Sequence, residues 1–302
     1  MRYPHSLIAL IGLLCAVFTG CNSPATDSPH AGTGASTAAA IAASAPLAVT
    51  AATAAPVATT TAPVAPVPVV PAVIATAPIP TAPVTATLTP VTIHLAGDST
   101  VCNYDTTKTV QEGWGMELGQ FFNDQVTVNN QAIGGANVQS FKGGSNWSRI
   151  IAALKPGDYV LMQFGANDSG TAHGPVSPPN FVATLGQMAD EIRAKGATPI
   201  FVTPSAFFQW SGGKQDNSRL APYAAACYTA GTAKDALVDD LNARGVEWLN
   251  SIGQTAAAGF YLPDRTGAPD KAHFIKSGAT QMAKMVAEEI RRIHSPLAAY
   301  LK

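Results

Sequence analysis

Five residues have the types and surroundings that acyl transfer needs. Ser99 stands in Gly97-Asp98-Ser99-Thr100, Gly135 closes Asn130-Gln131-Ala132-Ile133-Gly134-Gly135, and Asn167 lies in Gly165-Ala166-Asn167-Asp168. Asp270 and His273 share Pro269-Asp270-Lys271-Ala272-His273-Phe274. A serine hydroxyl becomes a nucleophile when an imidazole takes its proton. An acid three residues before His273 can accept Nδ1–H while Nε2 faces the hydroxyl, which is the orienting task of a triad carboxylate. A glycine offers an unobstructed backbone N–H and an asparagine a side-chain N–H. With the N–H of Ser99 these make three donors for an oxyanion. Taken singly, each has a plainer account as a serine N-cap, a turn glycine or an asparagine cap. Among the other histidines, His94 falls in a strand-like run. His294 sits in a last helical turn, where a cation suits the helix dipole. His173 follows Asn167 in a loop and can line the same cleft. Asp98 and Asp168 read as turn and cap residues.

The positions of these residues depend on the elements between them. Val91–Leu95, Val126–Asn129, Tyr159–Phe164, Pro199–Thr203 and Val246–Leu249 are short apolar runs bounded by Gly, Asn, Asp or Pro, the pattern of buried parallel strands. Phe181, Leu185, Met188 and Ile192 recur at helical spacing with Gly196 beyond them. Ile275, Ala279, Met282, Val286, Ile290 and Ile293 do the same near the C-terminus. The alternation predicts an α/β fold, a three-layer α/β/α sandwich. In a five-stranded parallel sheet of order 2-1-3-4-5, the loops after strands 2 and 3 flank the end of strand 1. Ser99 is then expected at the carboxyl edge, at the start of a helix, where open α/β sheets bind ligands.

The chain has 302 residues and a net charge of −1, with no basic patch to suit nucleic acid. No repeat period is present, and four cysteines do not make a disulfide scaffold. Between Phe18 and Tyr104 there is no Phe, Trp or Tyr, and residues 31–90 hold 21 Ala and 10 Pro. Residues 22–90 therefore read as a disordered tether with nothing large to bury. Residues 91–302 are expected to form one domain. Residues 1–21 have the plan of an export signal. Arg2 precedes a run from Leu7 to Phe18 that is too short to span a bilayer, followed by Thr19-Gly20-Cys21. Small residues before a cysteine resemble a bacterial lipoprotein cleavage box. That resemblance implies lipidation of Cys21 and, with Asn22 next, an outer-membrane lipoprotein of the cell envelope; the alternative is an ordinary signal peptide with a chance cysteine and a secreted protein.

The four blocks, in this order, resemble the SGNH (GDSL-type) hydrolases. Ser99, Gly135, Asn167 and His273 match the family's Ser, Gly, Asn and His, with Asp270 as the third triad member. Leu95–Val101, Gly113-Trp114-Gly115, Asn130–Gly135, Lys155–Val160, Gln163–Asp168, Thr203-Pro204 and Asp270–Gly278 resemble the rhamnogalacturonan acetylesterase branch. That branch usually carries Arg after the Gly135 position and His before the Asn167 position, whereas this chain has Ala136 and Ala166. The resemblance implies a carbohydrate O-acetylesterase acting on an acetylated polysaccharide or oligosaccharide, with no cofactor. The rivals are a lipolytic esterase or thioesterase on the same machinery, and a non-catalytic glycan-binding lipoprotein. No Gly-x-Ser-x-Gly elbow and no His-Glu-x-x-His occur, and no metal site is expected. Trp210, after the fourth strand, and His173 are the candidates for substrate contact. Cys102 and Cys227 can form a disulfide or remain buried thiols.

Overall fold

The computed structural model describes residues 88–302. The export signal, Cys21 and nearly all of the tether lie outside the described residues. Five parallel strands form the central sheet: β1 (Val91–Gly97), β2 (Val126–Asn130), β3 (Tyr159–Gln163), β4 (Thr198–Val202) and β5 (Leu237–Asp239). Their order is β2-β1-β3-β4-β5. The sheet order thus follows the predicted 2-1-3-4-5 pattern, in a three-layer α/β fold.

Successive side chains on a strand point to opposite faces, and each face here has its own core. Ile93, Leu95, Leu161, Ile200 and Val202 pack with α4 (Leu241–Ala257) and α5 (Lys276–Arg292). Ala96, Val160, Met162 and Phe201 pack with α1 (Ser145–Ala153), α2 (Pro178–Arg193) and α3 (Ala221–Lys234). The predicted stripes lie inside over most of their length: Phe181, Leu185, Met188 and Ile192 of α2, and Ala279, Met282, Val286 and Ile290 of α5, are buried, while Ile275 and Ile293, the ends of the second stripe, flank α5 and are half-buried.

Two expectations are overturned. Val246–Leu249 is not a strand but part of α4, whose buried residues Leu241, Gly245 and Leu249 recur every four positions. A four-residue apolar run fits either period, and the longer stripe decides it. The fifth strand is the three-residue β5. Asp240 follows it and caps α4 by accepting the N–H of Ala243. Nor does Gly97–Thr100 open a helix. The Asp98 carbonyl accepts both Val101 N–H and Cys102 N–H in a tight turn, and the chain then runs out into a loop. Gly113 crosses this turn so closely that a Cβ there would lie 2.3 Å from the Cys102 carbonyl oxygen. A helix continuing from Ser99 would collide with that crossing.

A small antiparallel layer covers the end of the main sheet. Pro269–Ile275 runs between Gln111–Glu112 and Tyr261–Pro263, with Phe274 facing Glu112 on one side and Tyr261 on the other. This strand leads directly into α5. Gly278, in the first turn of α5, allows that junction to close: a Cβ there would sit 2.1 Å from the Phe260 carbonyl oxygen, which is backbone. Gly278→Ala should therefore lower stability by about 1–3 kcal/mol, the range for overpacking. A urea-unfolding midpoint equal to that of the wild type would contradict this.

Candidate active site

Ser99 sits in the turn after β1, and three anchors fix that turn. Tyr104 Oη donates to the Ser99 carbonyl at 2.9 Å, Trp114 N–H to the Thr100 carbonyl at 2.8 Å, and Asn130 Nδ2 to the Val101 carbonyl at 2.7 Å. Beneath them Trp114 Nε1 donates to Gln163, Gln163 Nε2 to Thr100 Oγ1, and Thr100 Oγ1 to Asp98. Asp98 is fully buried, and one of its oxygens has no partner among the described residues. Burial pushes this carboxyl above the usual range, while the Thr100 hydrogen bonds and the nearby His273 oppose the shift.

His273 reaches the same point from the antiparallel layer. Its Nε2 lies 2.9 Å from Ser99 Oγ and its Nδ1 lies 3.1 Å from Asp270 Oδ1. The same oxygen accepts the backbone N–H groups of Ala272 at 2.6 Å and His273 at 2.9 Å. Burial alone would raise the Asp270 pKa. The His273 ring and these backbone donors outweigh it and hold the carboxyl at about 2. A hydroxyl, an imidazole and a carboxylate joined in this way can pass a proton from Oγ to the ring as Oγ attacks a carbonyl carbon.

The loops carrying Gly135 and Asn167 leave the two strands beside β1. Gln131 N–H donates to Leu95 O and Ile133 N–H to Gly97 O, which lays the post-β2 loop along the end of β1. Gly135 has φ +78°, a conformation that favours glycine, and its N–H has no acceptor among the described residues; the same is true of Ser99 N–H. Asn167 Nδ2 donates to Ala136 O at 3.0 Å, which leaves its second amide hydrogen. Asp168 joins both loops, with one oxygen on Val138 N–H and the other on Gly165 N–H, each at 2.9 Å. Burial, with some help from the charge of Asp98, lifts Asp168 to about 6 against those backbone donors.

The two candidates for substrate contact differ in placement. His173 is exposed at the rim, with its ring over Gly135: a Cβ on that glycine would lie 3.2 Å from His173 Cε1. Asn137 Nδ2 holds the carbonyls of His173 and Gly174. His173, Asn167, Gly170 and Arg219 line a groove of about 530 Å³. Trp210 is half-buried and packs edge-on against Phe208, which leans on Tyr261. Its indole N–H is buried without a partner among the described residues. In this position it supports the segment that meets the His273 strand, where Phe208 N–H donates to Lys271 O. Cys227 is a free, buried thiol, so the Cys102–Cys227 disulfide is not formed. Among the described residues no cluster of three or more His, Cys, Asp or Glu is placed to hold a metal. Sequence reasoning missed the Asp168 staple, the Tyr104 anchor and Arg219. Asp168 stood out only as a cap residue within its block, and Tyr104 and Arg219 carried no signal.

The contact of Ser99, His273 and Asp270 lies at the carboxyl edge of a parallel sheet, where open α/β folds bind ligands. The chain belongs to the GDSL-like lipase/acylhydrolase family, whose model matches residues 95–279. Among its relatives, rhamnogalacturonan acetylesterase RhgT of Bacillus subtilis is 32% identical over 222 residues, 70% of this chain and 94% of that one. Probable rhamnogalacturonan acetylesterase YesY of the same organism is 31% identical over 208 residues, 68% of this chain and 94% of that one. The crystal structure of protein YxiM from Bacillus subtilis superposes with a TM-score of 0.62 at 29% identity, over 69% of this chain and 58% of that chain.

The two carboxylates titrate in opposite senses. Asp270 lies below its unfolded value, so it stabilises the fold above the ordinary carboxylate range, and that contribution is lost as pH falls towards about 2. Asp168 lies above its unfolded value, so its contribution is largest under acid conditions and is lost as pH rises through about 6. In urea unfolding, the stability deficit of Asp270→Asn should therefore shrink below about pH 4. That of Asp168→Asn should shrink between about pH 4 and 7. Parallel trends in the two variants would refute these assignments.

Proposed function

We propose that this protein is a serine-dependent O-acetylesterase of an acetylated polysaccharide, rhamnogalacturonan or a related polymer. The observation that carries this reading is the unbroken contact from Asp270 through His273 to Ser99 at the carboxyl edge of the sheet. The acetylesterase relatives support the acetyl group and the carbohydrate as the two halves of the ester.

Ser99 Oγ attacks the acetyl carbonyl carbon, and its proton passes to His273 Nε2. The N–H groups of Ser99 and Gly135 and the free amide hydrogen of Asn167 stabilise the oxyanion. Collapse of the tetrahedral intermediate breaks the bond to the sugar oxygen, which leaves with the proton from His273. Water then attacks the acetyl-serine, losing its proton to His273. Acetate departs and Ser99 recovers its hydroxyl. Asp270 holds the ring in one orientation throughout and stabilises it when charged.

Ser99→Ala should abolish turnover and labelling by a fluorophosphonate. Asp270→Asn should lower kcat by about 10⁴-fold. Asn167→Ala should lower kcat by roughly 10²–10³-fold with little change in KM. Labelling retained in Ser99→Ala would place the nucleophile elsewhere.

The acyl group separates this reading from a lipolytic one. Each methylene buried in an apolar groove contributes about 0.8 kcal/mol, so a lipase gains steadily with chain length. The groove beside Asn167 is lined instead by Ser169, Gly170, Thr171, His173 and Arg219. 4-Nitrophenyl acetate should be cleaved with a higher kcat/KM than the butyrate, and the octanoate negligibly. A profile peaking at octanoate would overturn the acetylesterase reading.

The leader supports a cell-envelope placement. Residues 1–21 direct export, Cys21 is lipidated, and residues 22–90 form a leash to the domain. The full-length protein should partition into detergent when expressed in a bacterium, and Cys21→Ser should not. Equal partitioning of the two would sink the anchor.

A further inference from the structure

Asn167 is the only proposed oxyanion donor carried on a side chain, so its position depends on how its loop is held. Asp168 fixes the inner side of that loop. The outer side is gripped by Arg219, which comes from the segment preceding α3. Arg219 Nε donates to Ser169 Oγ at 2.9 Å, and Nη2 donates to the Ala166 carbonyl at 3.2 Å. Ser169 Oγ donates to that same carbonyl at 2.9 Å. The two residues held in this way, 166 and 169, bracket Asn167.

Other contacts keep the clamp in place. The guanidinium lies 5.2 Å over the ring of Phe207, which is buried. Phe207 belongs to the segment tied to the His273 strand through Phe208 N–H and Lys271 O. Gly170 leaves the space the guanidinium occupies, since a Cβ there would lie 2.5 Å from Nη2. Among the described residues Arg219 has no carboxylate within ion-pair distance, so its identified polar partners are on the Asn167 loop. A planar fork with fixed donors suits this bridging, and a lysine ammonium cannot reproduce it.

We propose that Arg219 is a positioning residue that holds Asn167 in the geometry in which its amide meets the developing oxyanion. The inference rests on the oxyanion role given to Asn167 above. It also explains why an exposed cation sits in the groove beside that residue: emptying the Arg219 side chain would leave a solvent-open slot able to admit a free guanidinium ion.

The test is a double-mutant cycle on 4-nitrophenyl acetate. Arg219→Ala should lower kcat by about 10-fold with little change in KM. In the Asn167→Ala background the same substitution should cost less than about twofold, because the donor it positions is gone. Methylguanidinium at millimolar, non-denaturing concentration should restore part of the kcat of Arg219→Ala and none in the double variant. Gly170→Ala, which displaces the guanidinium without removing it, should lower kcat in the same sense. If Arg219→Ala does not fold, Gly170→Ala in the two backgrounds decides by the same criterion. Equal losses in both backgrounds, or a change confined to KM, would overturn the role of Arg219 and leave that of Asn167 intact. An unchanged kcat in Asn167→Ala alone would instead remove the oxyanion reading itself.

Discussion

The contact between His273 Nε2 and Ser99 Oγ joins residues 174 positions apart, and the rest of the structure is arranged to make it at 2.9 Å. Neither partner can be placed by its neighbours in sequence alone. Ser99 is set by the end of β1 and by anchors from Tyr104, Trp114 and Asn130. His273 is set by a strand that bridges Glu112 and Tyr261 through Phe274. Tyr261 in turn donates its hydroxyl to Ala206 O. The close approaches at Gly113 and Gly278 let these layers meet, since a Cβ at either would strike backbone. The proton transfer proposed for this pair would slow by about 10²-fold on a shift of about 1 Å, and the over-determined contacts hold the pair against such a shift.

The same region concentrates buried acids. Asp98 and Glu112 each keep one oxygen without a partner among the described residues, and burial raises both carboxyls. For Glu112 the neighbouring Glu117 adds to the effect. Asp168 is pushed to about 6 although two backbone N–H groups favour its charged form. Asp270 is driven down, because its oxygen gathers the His273 ring and two backbone donors. Two aspartates that serve one edge of the sheet thus have opposite electrostatic surroundings. The one facing the imidazole stays ionised, and the one stapling loops sits where burial outweighs its hydrogen bonds.

With β1 between β2 and β3, the loops that follow these three strands carry Ser99, Gly135 and Asn167, the donors proposed for the oxyanion. What separates such a site from a generic ligand crevice is the firmness of those loops. Asp168 grips two of them from within, and Arg219 grips the Asn167 loop from outside, leaning on the segment that also meets the His273 strand.

Ser99, Asp270 and His273, which the fold brings into contact, and Gly135 and Asn167, which it sets in the loops after the strands beside β1, stood out in the sequence as candidates because each lies at a strand end or in a short polar block, where residue type constrains the possible chemistry. The stripes of α2 and α5 were legible because burial on a fixed period leaves its mark over a dozen residues, whereas the order of the sheet was an expectation that goes with the family resemblance. The sequence could not separate Val246–Leu249 from a strand, since four apolar residues fit either period until the stripe from Leu241 to Leu249 is packed. It could not foresee that Gly113 crosses the Ser99 turn and stops a helix there, because that depends on a chain returning in space. Nor could it place Trp210 against Phe208, part Cys227 from Cys102, or bring Arg219 to Ser169 and Ala166. Composition and spacing fix which groups are present and which face of an element they take. Which distant groups touch is decided only when the layers pack, because a hydrogen bond is made or lost over a few tenths of an ångström.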